Sequence, residues 1–302
     1  MKTSKIYDVI IVGGGYAGLS AAIWLGRFHR SVVVISSGQP RNAAAHVIHG
    51  YPGYDGENPM DLHKKILQEA ASYGAGFAHG TVTQIRKRKL YFACQTEEKQ
   101  YLAKRVLVAT GVSDVAPDIP NFAAFAGVTA WQCPACDGHE YSGRRVAIIG
   151  WGAHIAGYAQ EFLTYTSDIL VLTHGHANEI DNEARQILQG CNIPVIDTKI
   201  VGLQPKPDTT SKIRSLALAD GGSIPAEAIF YNIKHCPRLE LLEQLGCNIA
   251  DDAVVINDKQ ETSVAGVYAA GDITPREELV VVACAMGTSA ASNIHASLHN
   301  FK

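Results

Sequence analysis

Two cysteines separated by two residues carry the clearest chemistry in this sequence. Cys133 and Cys136 can close a small disulfide ring or supply two ligands to a metal, and Asp137 follows them directly. A zinc site needs two more ligands at matched spacing, and only His174 with His176 forms a nearby candidate pair. A redox pair is the favoured interpretation, because a lowered thiol pKa lets such a pair attack disulfides at neutral pH. Half a zinc site and two structural thiols are the alternatives.

Asp137 is the candidate proton carrier for this pair, since a general acid or base must lie within hydrogen-bond reach of the thiol. The alternative role of Asp137 is that of a turn residue or helix cap. His139 is a competing proton carrier, because the unperturbed pKa of histidine lies near neutrality.

The elements that must position this chemistry begin with a predicted buried strand, Tyr7–Val12, rich in valine and isoleucine. It leads into the turn GGGYAG at residues 13–18 and then into an apolar helix. Gly13 makes the tight turn, Gly15 lets a pyrophosphate approach the helix N-terminus, and Gly18 permits close helix–strand packing. This context predicts dinucleotide binding rather than a plain strand–helix turn.

The next strand, residues 31–35, ends at Ser36, where the dinucleotide motif expects an acid that bonds to ribose hydroxyls. Ser36 retains the capacity for one hydrogen bond. A helix from Pro59 to Tyr73 and short strands near Val82, Tyr91 and 106–108 are predicted before Thr110 and Gly111. Near the end, Gly271-Asp272 follows a strand and precedes an apolar helix from about Leu279 to Leu298. Asp272 can accept a hydrogen bond from a ribityl hydroxyl, and the helix N-terminus can face an anionic group.

A second strand–turn–helix–strand unit of dinucleotide type begins at Arg145, and its motif is damaged. Ile155 occupies the third glycine position, and the large residue Trp151 lies in the phosphate turn. The segment Thr173–His176 offers no acid for the ribose of NAD and no arginine for the 2′-phosphate of NADP. The unit is either a nicotinamide site or a scaffold for the cysteine pair.

The composition limits the remaining classes of function. The 302 residues are 47% hydrophobic with a net charge of −3, which suggests two domains and offers no basic face for nucleic acid. The basic run Arg86–Lys89 is interpreted as a solvated hairpin edge. The apolar run near the N-terminus is too short for a signal peptide or membrane span. Mostly isolated cysteines predict a cytoplasmic protein.

Taken together, the motifs occur in the order seen in low-molecular-weight thioredoxin reductases, and the chain resembles that family over nearly its whole length. The motifs that carry the resemblance are residues 13–18, 51–53, 109–111, 133–138 and 266–271 with Asp272. The segments 39–42 and 281–287 look more like a sister group, the flavin-dependent dithiol oxidases related to gliotoxin oxidase.

The resemblance implies an α/β fold of two three-layer Rossmann-like domains, the second inserted in the first. It implies an FAD-binding domain of residues 1–114 and 244–302, and an NADPH-type domain of residues 115–243 that carries the disulfide. By the same resemblance, Cys136 faces the flavin and Cys133 attacks the substrate disulfide. The protein is expected to be a homodimer. The predicted FAD contacts are Gly13, Gly15, Tyr16, Ala17, Gly18, Ser36, Arg41, Asn42, Val82, Thr110, Gly111, Gly271 and Asp272.

Departures from the family pattern make NADP a doubtful cofactor. Thioredoxin reductases carry a His-Arg-Arg type cluster where this chain has Thr173–His176. The chain thus resembles members that take electrons from ferredoxin or pass them to oxygen. The leading hypothesis is an FAD-dependent disulfide oxidoreductase acting on a thioredoxin-like protein or a small disulfide. The alternatives are a dithiol oxidase that uses oxygen, an NADPH-dependent thioredoxin reductase, and a non-enzymatic flavin- or metal-binding protein.

Overall fold

Parallel strands rich in valine and isoleucine form the centre of the first sheet, as expected for strands buried on both faces. The computed structural model describes residues 5–299. β1 pairs in parallel with β2 and β6, β3 extends the sheet beyond β2, and β4 with β5 forms an antiparallel hairpin beside β6. The basic run Arg86–Lys89 is exposed at this hairpin, as predicted. The elements are β1 (Ile6–Val12), α1 (Tyr16–Arg27), β2 (Val32–Ser36), α2 (Pro59–Ser72), β3 (Gly76–His79), β4 (Val82–Lys87), β5 (Phe92–Thr96) and β6 (Gln100–Val108).

A second sheet of five parallel strands follows the same plan in the middle of the chain. The elements are β7 (Val112–Asp114), β8 (Ala130–Trp131), α3 (Pro134–Asp137), β9 (Val146–Gly150), α4 (Ile155–Glu161), β10 (Ile169–Leu172), α5 (Asn182–Gly190), β11 (Val195–Ile196), β12 (Ile200–Pro205), β13 (Ile213–Leu218), β14 (Ser223–Pro225), β15 (Ala228–Asn232) and β16 (His235–Pro237). The strand order is β11-β10-β9-β15-β8, while β12, β13 and β14 form a separate antiparallel sheet. The short antiparallel pair β7–β16 lies where the chain enters and leaves this part of the fold.

The last part of the chain completes the first sheet. β19 pairs in parallel with β6, so seven strands from both ends of the sequence make up one sheet. This arrangement confirms the predicted α/β class with one Rossmann-like unit inserted in another. The elements are α6 (Glu240–Gln244), β17 (Ile249–Ala250), β18 (Ala253–Val254), β19 (Val267–Ala269) and α7 (Val280–His299). The outermost residues of the first predicted domain, 1–4 and 300–302, lie outside the described residues.

Alternate residues of β1 face two separate apolar layers, because successive side chains of a strand point to opposite faces. Val9 and Ile11 belong to a core with residues of α1 and α7. Ile10 and Val12 belong to a core with β4, β5 and residues 239–254. The central sheet is therefore covered on both sides. Among residues 5–299, no helix is both long enough and apolar enough to cross a membrane.

Small residues shift the start of α1 relative to the sequence-based expectation. The helix begins at Tyr16 rather than near Leu19. Its first turn contains Ala17 and Gly18, which give no apolar period from which a helix start can be recognised. This earlier start brings the helix N-terminus directly to the end of the glycine turn.

Candidate active site

A cavity of about 790 Å³ opens at the carboxyl ends of the parallel strands of the first sheet, the edge where α/β sheets bind ligands. It extends from the glycine turn after β1 to the cysteine loop before β9. The predicted site residues that line it are Gly13, Gly15, Tyr16, Ala17, Ser36, Arg41, Asn42, Val82, Thr110, Gly111, Cys133, Cys136, Asp137, Gly271 and Asp272. The residues predicted for the cofactor and those predicted for redox chemistry thus share one cavity.

The three motif glycines have different local environments. A Cβ at Gly13 would lie 2.0 Å from the Ala109 carbonyl oxygen, and one at Gly18 would lie 2.0 Å from the Gly13 carbonyl oxygen. Gly18 does not line the cavity, so its role is close packing alone. A Cβ at Gly15 would meet nothing within 4 Å. Gly15 therefore leaves open space in the cavity wall at the N-terminus of α1, which fits the pyrophosphate of FAD.

The glycine turn is supported from α2. The His63 ring lies with Nε2 2.7 Å from the Gly14 carbonyl oxygen in a buried position. Tyr16 donates its hydroxyl hydrogen to the Pro59 carbonyl oxygen at 3.0 Å, and burial raises the pKa of Tyr16 to about 12. These contacts hold the first residues of α1 against the start of α2, and sequence reasoning did not identify His63 as a support.

One unsatisfied polar atom points to a missing hydrogen-bond partner in the cavity. The side-chain oxygen Oδ1 of Asn42 is buried and has no hydrogen-bond partner among the described residues. Such buried polar atoms are rare, because each lost hydrogen bond is costly. Asn42 lines the cavity, so a polar group of bound FAD would satisfy this atom. Together with the open turn at Gly15, this observation indicates that the residues fit FAD.

Arg41 lies in a cluster of charged side chains at the cavity wall. Its guanidinium contacts Asp114 at 2.5 and 2.6 Å, Asp272 at 3.4 Å, and Glu278. Burial raises the pKa of Asp272. Burial also opposes ionisation of Asp114, but hydrogen bonds from His235 and Arg41 outweigh it and hold the pKa of Asp114 below its usual value. Arg41 therefore supports Asp272 from the side, besides lining the cavity.

The other predicted cofactor contacts sit at the strand ends. A Cβ at Gly14 would lie 2.9 Å from the Ser36 hydroxyl oxygen, which places Ser36 against the glycine turn. The hydroxyl of Thr110 donates to the Arg238 carbonyl oxygen at 2.8 Å. Val82 is buried at the start of β4. Ser36 and Thr110 lie at the ends of the parallel strands β2 and β6, which share one edge of the sheet, whereas Val82 comes from the antiparallel hairpin.

Cys133 and Cys136 form a disulfide with a Cα–Cα distance of 5.2 Å. Cys133 precedes the single helical turn α3, and the backbone N–H of Cys136 donates to Cys133 Sγ at 3.1 Å. Pro134 occupies the first position of that turn, where a missing N–H is tolerated. The sulfur atoms are thus bonded to each other rather than held apart as metal ligands, and both residues line the cavity.

Asp137 follows the disulfide in the same helical turn. Burial raises the pKa of Asp137 to about 7, a shift that His49 opposes and Glu140 increases. Near neutral pH the carboxyl group therefore exists in both forms and can donate or accept a proton. The competing candidate, His139, is exposed, and the residues lining the cavity do not include it.

Sequence reasoning missed His49, which lines the same cavity. Its Nδ1 lies 3.4 Å from Asp55 Oδ1 and its Nε2 lies 3.6 Å from Glu140 Oε1. His49 comes from the loop after β2, whereas Asp137 and Glu140 follow the cysteine pair. The only sequence signal was a turn-rich tract, because the contact joins residues about ninety positions apart.

The second glycine turn, after β9, lies beside a smaller cavity with aromatic and basic side chains in its lining. This cavity of about 440 Å³ is lined by Trp151, His174, His176 and Lys199, among others. Arg185 bonds to Asp197 at 3.1 Å. Lys199 brings a positive charge to this cavity. Its position beyond β11 in the sequence gave no indication that it lies near the second glycine turn.

Comparison with known proteins gives one consistent result. The family model of the pyridine nucleotide-disulphide oxidoreductases matches residues 7–287. The thioredoxin reductase of Bacillus subtilis (strain 168) is 28% identical over 309 residues, covering 97% of this chain and 95% of that protein. The crystal structure of HlmI is similar with a TM-score of 0.90 and 29% identity, covering 99% of this chain and 95% of that chain. The putative thioredoxin reductase TrxB from Bacillus anthracis gives 0.86 and 28%, covering 97% and 99%.

Proposed function

The chain belongs to the pyridine nucleotide-disulphide oxidoreductase family and is a thioredoxin reductase-like flavoprotein that binds FAD, and we propose that it works through Cys133 and Cys136. The proposed reaction exchanges electrons between FAD and an external dithiol or disulfide. The observation that carries the proposal is the shared cavity, which is lined by this disulfide and Asp137 and also by the open turn at Gly15. Residues 1–114 and 244–302 are assigned to FAD, and residues 115–243 carry the disulfide.

Bound FAD supplies a two-electron carrier for the cysteine pair. In the direction of disulfide reduction, the Cys133 thiolate attacks one sulfur of the substrate disulfide, and the other substrate sulfur leaves as a thiolate. Asp137 gives that thiolate its proton. The Cys136 thiolate then attacks Cys133 Sγ, which reforms the protein disulfide and releases the second substrate thiol after protonation.

The same residues run in reverse for a dithiol. The first substrate thiol loses its proton to Asp137, and its thiolate attacks Cys133 Sγ, which breaks the Cys133–Cys136 bond and releases the Cys136 thiolate. The second substrate thiol, once deprotonated, attacks the substrate sulfur bonded to Cys133 and displaces the Cys133 thiolate as the substrate disulfide forms. Bound FAD would carry the two electrons of the reduced pair onward, with oxygen as their final acceptor. The segment 39–42, which resembles the dithiol oxidases and lines the cavity, favours this second candidate function.

The proposed donors and partners follow from the departures at the second turn. NADPH is an inefficient donor in this proposal, and reduced ferredoxin or a dithiol takes its place. The substrate is a thioredoxin-like protein or a small dithiol or disulfide. We further propose that the protein is cytoplasmic and forms a homodimer. The cytoplasmic location is supported by the other five cysteines, which are unpaired among the described residues, as is usual in reducing compartments.

Serine substitutions test the proposed chemistry. Cys133→Ser and Cys136→Ser should each abolish exchange with dithiothreitol or its disulfide while FAD stays bound, because each removes one sulfur of the pair. Cys133→Ser should leave Cys136 free to perturb the flavin absorption spectrum. Cys191→Ser is the matched control and should keep full turnover. If both site variants still turn over, the chemistry lies at Cys94, Cys236 or Cys284 instead.

A further inference from the structure

Two aromatic side chains meet across the second glycine turn. The indole of Trp151 stacks on the imidazole of His176, with ring centroids 3.9 Å apart and an angle of 13° between the ring planes. His176 is held in turn by Glu179, whose Oε1 lies 2.7 Å from His176 Nδ1. The stack thus joins one ring from the turn and one from the loop after β10, and the second ring is contacted by an acid.

The positions of these rings match the two recognition points of a dinucleotide unit. Trp151 lies in the turn after β9, where backbone amides approach a pyrophosphate in dinucleotide-binding folds. His176 lies after β10, where an acid or an arginine recognises the ribose or its 2′-phosphate. Both rings line the cavity of about 440 Å³. The stack thus connects the turn where a pyrophosphate would bind with the position where a ribose would be recognised.

The second and third glycine positions of this unit also differ from those of the first unit. At Gly152, which corresponds to Gly15, a Cβ would lie 3.2 Å from the His154 ring, whereas the position at Gly15 is open. Ile155 occupies the third glycine position and is fully buried. With Trp151 in the turn, the residues of this unit do not fit a nicotinamide dinucleotide.

Resting on the proposed function, we propose that Trp151 and His176 form a plug that excludes dinucleotides from the second unit. Trp151 is the specificity-determining residue of this plug, because its side chain covers the turn that a pyrophosphate must reach. The missing arginine alone does not account for exclusion, since Lys199 already supplies a cation to the cavity. Removing the indole opens the turn, and replacing His176 with arginine adds a partner for a 2′-phosphate.

Calorimetric titration of the FAD-loaded, oxidised protein with 2′,5′-ADP and with NADPH tests the plug without any turnover. The variants are Trp151→Ala, His176→Arg and the double variant Trp151→Ala/His176→Arg. The wild type should show no saturable binding at micromolar concentrations. The double variant should bind NADPH at least about tenfold more tightly than the wild type does. Trp24→Ala, the same change on α1, is the matched control and should bind no better than the wild type.

Folded variants that bind neither ligand better than the wild type would overturn the plug. That outcome leaves the predictions for Cys133 and Cys136 untouched, so the two proposals fail separately. If Trp151→Ala does not fold, His176→Ala removes the stacking partner instead and should still increase binding of NADPH. Micromolar binding by the wild type would overturn both the plug and the exclusion of NADPH.

Discussion

At the residue scale, the proposed proton transfer depends on one carboxyl group. Burial raises the pKa of Asp137 to about 7, so the acid is balanced between its two forms at the pH of a cell. The nearby charges act in opposite directions, because His49 favours the ionised form and Glu140 disfavours it. An exposed carboxyl with a pKa near 4 would be almost fully ionised there and a poor proton donor.

The pH dependence should therefore differ between the two directions of the reaction. Disulfide reduction needs Asp137 protonated, so its rate should fall as the pH rises through about 7. Dithiol oxidation needs the carboxylate, so its rate should rise over the same range. Asp137→Asn should remove this inflection and lower the rate by about a hundredfold or more. Rates of single turnover against pH, with FAD content as the control for folding, measure both effects.

A substitution of His49 tests the titration of Asp137 in a second way. His49→Gln removes the charge that opposes the raised pKa of Asp137, so the inflection should move to higher pH. His46→Gln, in the same loop but exposed, is the matched control and should leave it in place. An unchanged profile in His49→Gln together with a lost inflection in Asp137→Asn would limit the role of His49 to lining the cavity.

At the element scale, the two strand–turn–helix units share one backbone arrangement but differ in whether the turn is open to a ligand. The first turn is bare at Gly15, and the second is covered by Trp151. Gly15 has φ −75°, which any residue adopts, and its Cβ position is empty. Gly15→Val should therefore fold but place a side chain in the cavity and yield protein without FAD. Gly202→Val, at another empty position in β12, should keep FAD. Stoichiometric FAD in Gly15→Val would refute the placement, as measured by absorbance after purification.

The elements were predictable from sequence because strands, turns and helices have local signatures. The pattern of Gly13, Gly15 and Gly18 between an apolar strand and a helix identified the first unit, and the bulky residues Trp151 and Ile155 marked the second as damaged. The stack of Trp151 on His176, and the approach of His49 to Glu140, join residues distant in sequence. No local pattern encodes such contacts, and they appear only when strand order brings the loops together.

At the whole-molecule scale, the two units divide the work of an electron-transfer enzyme unequally. The first carries the cavity proposed for FAD, and the inserted unit contributes the disulfide to the same cavity, while Trp151 stacks on His176 at its own turn. Selectivity for NADP depends on cations at the 2′-phosphate, each charge-assisted bond being worth about 1.5–3 kcal/mol. Lys199 offers one cation in this cavity in place of the missing arginine cluster, so the loss of one such bond weakens binding by roughly tenfold or more, and the turn covered by Trp151 adds to that loss. Electrons should therefore enter or leave through the cysteine pair or from a protein donor.

Anaerobic reduction of the flavin tests this account most directly. The flavin absorbance of the wild type is followed by stopped flow after addition of NADPH, NADH, reduced ferredoxin or dithiothreitol, each alone, with Cys133→Ser as the control for the dithiol. The account predicts bleaching by dithiothreitol or ferredoxin, and slow or no bleaching by either nucleotide at micromolar concentration. Rapid stoichiometric bleaching by micromolar NADPH would contradict it and make the protein an ordinary NADPH-dependent thioredoxin reductase.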